Sequence, residues 1–244
     1  MIKKLLAFIV LSLAALIGFA QSASEKLQKS AEMKAAMDDY AGALVEIEKA
    51  VKMSPKSTQL LFTRGMIHYM QGNKSLADED FNKVVEMPAK GADALRVKAL
   101  SYNRLRNHKA RDETFQELLA IDAKTAKDFL AHAVAHVSNR SYHEAIAMCD
   151  AAIEKDPKYV PAYIMRGSLR GIQRQVLDAS AAIEDFKKAI ELDPKNPELY
   201  YLLGRVQLES EKREDAIETL KKCSELAPES KRIQRLLRIA ETGK

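Results

Sequence analysis

Two histidines one helical turn apart are the first side chains in this sequence whose spacing could support chemistry. His132 and His136 have the i, i+4 spacing of a zinc-binding pair. No glutamate follows His132 as in a zinc-protease helix, and His143-Glu144 lacks the second histidine of that motif. Both histidines of the pair also lie at packing positions of a repeated pattern. We therefore expect them to pack between helices, with no metal ion and no cofactor bound.

No other group of residues points to catalysis. The acidic runs Asp38-Asp39 and Asp78-Glu79-Asp80 are typical of solvated helix faces and helix N-termini. No serine or cysteine nucleophile stands in a catalytic motif, and no glycine-rich phosphate loop is present. The formal net charge of +5 is small and scattered, without the basic stripe that nucleic acid requires. We expect a protein that is not an enzyme and does not bind nucleic acid.

The elements that would position these residues are helices in a repeated array. Alanine, leucine, lysine and glutamate, all good helix formers, dominate the 244 residues, and no window shows the alternation of a strand. Small residues recur at steps of 34 residues, with one step of 37, at Ala31, Gly65, Ala99, Ala133, Gly167 and Gly204. Most periods close at a proline, which stops a helix. Two antiparallel helices per period explain this spacing, and stacked hairpins bury the apolar faces.

The two cysteines fall at core positions of this array. Cys149 and Cys223 lie in the second helices of repeats four and six. Neighbouring helices are ~8–10 Å apart, so two repeats separate these residues by more than the ~7 Å between Cα atoms that a disulfide allows. We predict two buried free thiols.

The repeat residues resemble the tetratricopeptide repeat (TPR) family over about residues 24–230. The resemblance rests on Tyr163–Gly167, on Ala182–Phe186 with Ala189 and Pro194, and on Tyr142 and Ala145 with Ala152 and Pro157. It implies an all-α protein, a right-handed α-solenoid of six TPR helical hairpins plus a C-terminal capping helix. Two departures are Arg111, where repeat three should have alanine, and three extra residues of repeat five within Gln173–Ala179.

These periods predict the organisation of the whole chain. The predicted segments are a signal peptide at 1–20, repeats at 24–57, 58–91, 92–125, 126–159, 160–196 and 197–230, and a capping helix and tail at 231–244. The last helix carries Ile233, Leu236, Leu237 and Ala240 on one face and arginines on the other. We expect it to cover the last hairpin, although the arginines could also face an anionic membrane or partner.

The N-terminus has the pattern of a cleaved export signal. Lys3 and Lys4 precede the apolar stretch Leu5–Ala20, and small residues stand before a cleavage point at Gln21. A stretch of this length is short against the ~20 residues of a membrane-spanning helix. We predict a periplasmic or secreted protein, from a Gram-negative bacterium by resemblance of the signal, with no stable membrane anchor after cleavage.

In TPR proteins the first helices of the hairpins line a concave groove, so the resemblance implies a binding surface there. One type of TPR groove binds the C-terminal carboxylate of a partner through Lys, Asn and Arg. The corresponding positions of this sequence carry other residue types, namely Gln28, Glu32, Thr63, Asp93 and Val97. Apolar side chains with flanking arginines occupy these helices instead. The predicted groove residues are Phe62, Met66, Tyr69, Met70, Arg96, Leu100, Arg104, Leu130, Val134, Ile164, Tyr201 and Arg205.

These features predict a scaffold or adaptor in the cell envelope that binds a protein or peptide segment through apolar anchors. Two alternatives stay open at this point. Self-association into a structural homodimer could close the apolar stripe, or neighbouring first helices and the ends of the chain could cover it. Binding of a glycan or a small molecule is the other alternative, although the insertion in repeat five is short.

Overall fold

The structure is a computed structural model that describes residues 23–172 and 178–243. These residues form α-helices joined by short turns and contain no strand, which confirms the predicted all-α class. The helices are α1 (23–36), α2 (Tyr40–Met53), α3 (Thr58–Met70), α4 (Lys74–Glu86), α5 (Ala92–Arg104), α6 (His108–Leu119), α7 (Ala126–Ser138), α8 (Tyr142–Lys155), α9 (Val160–Ile172), α10 (Ala179–Leu192), α11 (Pro197–Glu209), α12 (Arg213–Leu226) and α13 (Lys231–Thr242).

The chain divides into two compact units. Unit 1 extends to Ala35 and includes Asp39–Met87, while unit 2 comprises Ala36–Asp38 and Pro88–Lys244. Unit 1 contains two helical hairpins, α1 with α2 and α3 with α4. Unit 2 contains four hairpins, from α5 with α6 to α11 with α12, followed by α13. Within each unit, sequential helices pack against each other as in TPR hairpins.

The small residues of the repeat lie where the two helices of a hairpin approach most closely, as the sequence predicts. A Cβ atom on Gly65 would lie 2.8 Å from the ring of Phe81, and one on Gly204 would lie 2.6 Å from Leu220. Both distances are too short for an unstrained contact. The helices of these hairpins can pack at this distance only because neither glycine has a side chain.

A left-handed residue ends the first helix in most hairpins. Asp38, Arg106, Arg140 and Glu211 have φ values of 61–63°, and Gly72 has a φ of 91°. The backbone N–H of the following residue donates to the carbonyl five residues earlier, for example from Asn73 to His68 at 2.9 Å. This is the Schellman arrangement, which satisfies carbonyls that the end of a helix would leave without donors.

The irregular position in repeat three does not disrupt its hairpin. The Arg111 side chain is 21% exposed, and its guanidinium donates to Asn103 Oδ1 at 3.0 Å and to Asp112 at 2.8 Å. The interior of the hairpin is filled by Ala99, Phe115 and Leu118. The long arginine is therefore accommodated at the edge of the helix pair.

Both cysteines are free and fully buried, as predicted. Burial raises the pKa of the Cys149 thiol to about 12 and that of Cys223 to about 12. The Cys223 Sγ donates to the carbonyl of Pro197 at 3.1 Å. Both thiols therefore act as small packing groups at neutral pH.

The last helix packs on the last hairpin through the apolar face that the sequence predicts. Ile233 and Ala240 are fully buried, and Ile233 joins Cys223 and Ala227 in one core cluster. Arg235 and Arg238 are exposed on the other side.

Two predicted segments fall outside the described residues. They are the signal peptide at 1–20 and most of the insertion of repeat five, residues 173–177. None of the helices in the described part of the chain combines the length and the apolar character needed to cross a membrane.

Candidate functional site

In unit 1, polar residues of the first helices bind each other. Gln28 Nε2 donates to Glu32 Oε1 at 2.7 Å and to Thr63 Oγ1 at 3.3 Å. The Thr63 hydroxyl donates to the same glutamate oxygen at 3.3 Å. These contacts place α1 beside α3. Three of the positions that a carboxylate clamp would use are therefore occupied by hydrogen bonds within the unit.

The predicted groove residues of unit 1 divide into packed and exposed side chains. Phe62 is half-buried, and its ring lies 5.7 Å from the ring of Phe81 at a tilt of 48°. Met66 is also half-buried. In contrast, Tyr69 is 48% exposed and Met70 is 46% exposed. Phe62 therefore belongs largely to the core, while about half of the surface of Tyr69 and of Met70 is exposed.

Leu76, which is 45% exposed, follows Tyr69 and Met70 across one tight turn. Tyr69 and Met70 lie in the last turn of α3, and Leu76 lies in the first turn of α4. Hydrogen bonds from Gly72 N to Tyr69 O at 3.1 Å and from Asn73 N to His68 O at 2.9 Å close this turn. We call Tyr69, Met70 and Leu76 the apolar patch. These three large apolar side chains are close together in the sequence, and all three are exposed.

The predicted apolar groove residues of unit 2 are half-buried. Leu100 and Val134 pack against the core formed by α5, α6 and α7. Leu130 is half-buried. Ile164 packs against the buried residues of α10 and α11. Neighbouring helices thus cover part of the stripe in unit 2, which is one of the alternatives that the sequence left open.

The polar members of the predicted set in unit 2 have defined neighbours. Arg96 donates to Asp93 Oδ1 at 2.6 Å, and Arg205 Nε lies 3.8 Å from Glu209. The guanidinium of Arg232 lies over the ring of Tyr201, 4.4 Å from its centroid. Arg104 is exposed at the end of α5. A continuous groove through all of the predicted residues stays a prediction.

Both candidate metal-binding histidines belong to α7, where His132 is buried and His136 is half-buried. Burial, followed by the nearby His136, lowers the pKa of His132. The described residues contain no group of three or more His, Cys, Asp or Glu side chains that could hold a metal ion. A neutral, packed His132 agrees with the packing role expected from the sequence.

Sequence reasoning missed two buried ion pairs at equivalent positions of repeats two and five. In unit 1, Arg64 makes a bidentate pair with Asp80, which is 2% exposed, through bonds of 2.8 and 2.6 Å. In unit 2, Arg166 pairs with Asp185 at 2.5 Å. A signal was present, because Arg-Gly at 64–65 and 166–167 is followed in each repeat by Asp-Phe, at 80–81 and 185–186.

The pair in unit 2 is part of a larger network. Arg170 also contacts Asp185, at 3.0 Å, and Arg166 reaches Asp150 on α8 at 2.5 Å. Arg166 therefore connects the second helix of repeat four with the second helix of repeat five. These charges stabilise the stack and are not arranged around an open site.

A groove of about 640 Å³ lies in unit 2 between the second helices α10 and α12, above α11. Its base includes the apolar side chains of Ile190, Tyr200 and Leu203. Charges of both signs line its rim, at Lys187, Glu191, Glu218, Lys221, Lys222 and Glu225. None of the predicted groove residues lines it. The sequence analysis did not predict this groove, because the residues that line it do not recur at a single position of the repeat.

Comparisons with known proteins identify this arrangement of helices. Residues 178–239 match the family model described as tetratricopeptide repeat. The crystal structure of a tetratricopeptide repeat protein from Parabacteroides merdae ATCC 43184 is similar, with a TM-score of 0.58 at 21% identity, over 99% of this chain and 97% of that chain. The described helices therefore have the tetratricopeptide repeat fold. The resemblance stated from the repeat residues is thereby confirmed.

Other solved structures have a similar fold at lower identity. A monomeric mutant of IFIT1 with m7Gppp-AAAA has a TM-score of 0.61 at 17% identity, over 84% of this chain and 52% of that chain. The APC/C hetero-tetramer Cut9-Hcn1 has a TM-score of 0.54 at 14% identity, over 89% and 42%. At such identities the likeness concerns the fold alone. The fold that this chain shares with these structures is a stack of helical hairpins.

Proposed function

We propose that this TPR protein is a non-enzymatic scaffold or adaptor in the cell envelope, which binds a segment of a partner protein through the apolar patch of unit 1. The observation that supports the proposal is the exposure of Tyr69, Met70 and Leu76, at 48%, 46% and 45%. Exposed apolar side chains are typical of binding surfaces, and these three lie at the end of α3 and the start of α4, on either side of one turn. The proposed surface keeps Tyr69 and Met70 of the predicted groove and adds Leu76 at the start of α4.

The surroundings of the patch suit a protein segment. The exposed amides of Gln71 and Asn73 lie in the turn between the two helices, and Asn73 donates to Gln71 at 2.8 Å. These amide groups can form hydrogen bonds with the backbone of a bound peptide, and the side chains of Met70 and Tyr69 can contact apolar side chains of that peptide. An extended or helical segment with two or three apolar residues fits this chemistry.

Site-specific photocrosslinking tests this proposal. A photoreactive phenylalanine analogue at position 69 should crosslink one defined envelope protein in cells, because Tyr69 contacts the partner. The matched control places the same analogue at Val45, which is equally exposed, at 52%, on α2 of the same unit. Equal crosslinking patterns at both positions, or no crosslink at position 69, would contradict the proposal.

Location in the envelope rests on the export pattern of residues 1–20. Fractionation of the source cells should place the protein in the periplasm or the medium, in a form that begins near Gln21 by mass spectrometry. Recovery of the full-length chain from the cytoplasm would contradict the export proposal, while leaving the test at position 69 unaffected.

A further inference from the structure

The two helices that form the walls of the groove in unit 2 carry the same sequence pattern. Residues 182–192 of α10 and 216–226 of α12 both read Ala-Ile-Glu, then Lys-Lys, then Glu-Leu, at the same spacing. At the positions of the lysine pair, the second helices of repeats one to four have Glu48-Lys49, Asn82-Lys83, Gln116-Glu117 and Asp150-Ala151. The lysine pair is therefore confined to the two second helices that form this groove.

The shared pattern arranges the charges of the groove in three bands. Because α10 and α12 are the second helices of successive repeats and run in the same direction, equivalent residues stand at the same level on the two walls. From Glu218 to Glu225 the wall spans ~10.5 Å of helix. Lysines line the middle of the groove and glutamates line both ends: Lys187, Lys221 and Lys222 in the middle, Glu218 at one end, and Glu191 and Glu225 at the other. We call this cavity the banded groove.

The base of the banded groove is apolar and held in place. Leu203 is 5% exposed, and Ile190 packs against buried residues of α10 and α11. The Tyr200 hydroxyl donates to the carbonyl of Pro194 at 3.0 Å, which restrains the ring. Because these side chains are already ordered, a ligand that covers them costs little additional conformational entropy in the protein.

The charges on the walls can exchange their present partners for the charges of a ligand. Lys187 pairs with Glu184 at 3.1 Å, and Lys222 pairs with Glu225 at 2.7 Å. Both pairs join exposed side chains three residues apart on one helix. Pairs of this kind contribute little to stability, so their loss does not oppose binding strongly.

The order of the bands defines the chemistry of the ligand. Acidic, basic and acidic bands are complemented by basic, acidic and basic groups at the same spacing. A purely anionic ligand would place negative charge beside the glutamates at both ends, where like charges repel. An α-helix with Lys or Arg, then Asp or Glu three or four residues later, then Lys or Arg after seven residues matches both the order and the ~10.5 Å span. Apolar side chains on the neighbouring face of such a helix would contact the base.

We propose that the banded groove binds an amphipathic helix of a partner protein, whose charged side chains follow the order basic, acidic, basic beside its apolar face. Unit 2 alone supplies every residue that lines this site. The site lies between second helices, whereas the predicted groove lies on first helices. It shares no residue with the apolar patch and is independent of the proposed function.

Designed helical peptides test the proposal by fluorescence anisotropy with the full-length chain. The matched peptide is an alanine-based helix with two leucines on one face and with lysine, glutamate and lysine in that order on each flank, three or four residues apart. The control peptide has the same composition, with its lysines grouped at one end. The matched peptide should bind about tenfold more tightly than the control, because only its charges meet opposite charges in all three bands. Replacement of both leucines by alanine should weaken binding about tenfold as well.

Charge reversal in the protein provides a second, independent test. A variant with Lys187→Glu and Lys221→Glu should bind the matched peptide about tenfold more weakly than the wild-type chain. A peptide with lysine in place of the central glutamates should recover affinity for this variant and not for the wild-type chain. The matched control carries Lys127→Glu and Lys155→Glu, which change the net charge equally at exposed positions of α7 and α8 outside the groove. It should bind the matched peptide as the wild-type chain does.

Several outcomes would overturn the proposal. Absence of binding at millimolar peptide would do so, as would equal affinity for the matched and control peptides, because binding would then not depend on the order of charges. An equal loss in the Lys127→Glu and Lys155→Glu variant would show that net charge, and not the groove, sets the affinity. Displacement of the peptide by excess inorganic phosphate would identify an anion site at the lysines instead. Crosslinking at position 69 is unaffected by any of these results.

Discussion

Unit 1 and unit 2 are built from the same hairpin, but they expose different surfaces. Among the described residues, six large apolar side chains are exposed, and five of them belong to unit 1: Val45, Met53, Tyr69, Met70 and Leu76. The sixth is Ile239 on α13 of unit 2. Unit 2 has more helices, so the difference in exposed apolar groups is not a matter of size.

Equivalent positions in the two units show where the difference arises. In repeat two of unit 1, the residues four and five positions after Gly65 are the exposed Tyr69 and Met70. In repeat three of unit 2, the residues four and five positions after Ala99 are the exposed polar residues Asn103 and Arg104. In repeat four, the same position holds Val137, which packs against the core. The repeat positions that pack the two helices of a hairpin together are therefore the same in both units. The residue types at the other positions differ between repeats.

The buried ion pairs provide the largest test of this comparison. Arg64→Ala in unit 1 should cost about 3 kcal/mol, because a buried charge loses its partner, and it leaves Asp80 with Lys83 at 3.9 Å. Arg166→Ala in unit 2 should cost less, about 1–2 kcal/mol, because Arg170 still contacts Asp185 at 3.0 Å. Urea unfolding followed by circular dichroism measures both. Lys83→Ala is the control, and a larger loss for Arg166→Ala would contradict the explanation.

Substitution at equivalent outward positions should separate exposed from packed residues. Tyr69→Ser should change the free energy of unfolding by less than about 0.5 kcal/mol, because the side chain is exposed. Val137→Ser should cost about 1–2 kcal/mol, because a half-buried apolar side chain is lost. Thermal melts of both variants provide the measurement. Equal effects would mean that Tyr69 contributes to the core as much as Val137 does, which would contradict its role in the apolar patch.

Each unit should also lose stability in mild acid through one buried histidine. Burial lowers the pKa of His68 in unit 1 and of His132 in unit 2. Because each histidine is neutral in the folded state, its contribution is complete above about pH 6.5 and is lost as the pH falls below that value. His68→Leu and His132→Leu should each reduce the drop in melting temperature between about pH 7.5 and about pH 5. An unchanged drop in both variants would exclude these residues as its source.

Substitutions in the hairpin turns should change the free energy of unfolding in opposite directions in the two units. Gly72 of unit 1 has a φ of 91°, whereas Arg140 of unit 2 has a φ of 61°. A side chain at positive φ costs roughly 1 kcal/mol, so Gly72→Ala should destabilise unit 1 by about that amount. Arg140→Gly should stabilise unit 2 by a few tenths of a kcal/mol up to about 1 kcal/mol. Chemical denaturation of the two variants should therefore show shifts of opposite sign.

Much of the fold could be predicted because its determinants are local and periodic. The small residues at Gly65 and Gly204 and the prolines after the second helices define hairpins without reference to distant contacts. The burial of Cys149 and Cys223 could be predicted for the same reason, because both lie at packing positions of the repeat. The groove residues were harder to predict, because whether a side chain such as Leu100 or Val134 is exposed depends on which neighbouring helix covers it.

The sequence by itself determined the all-α class, the helical hairpins and the resemblance to TPR repeats, since these depend on spacing within about 34 residues. Only the tertiary structure decided that Tyr69, Met70 and Leu76 stay exposed while the stripe of unit 2 is partly covered. It also decided that Arg166 pairs with both Asp150 on α8 and Asp185 on α10. The physical reason is that burial and pairing of this kind depend on helices that no local pattern brings together.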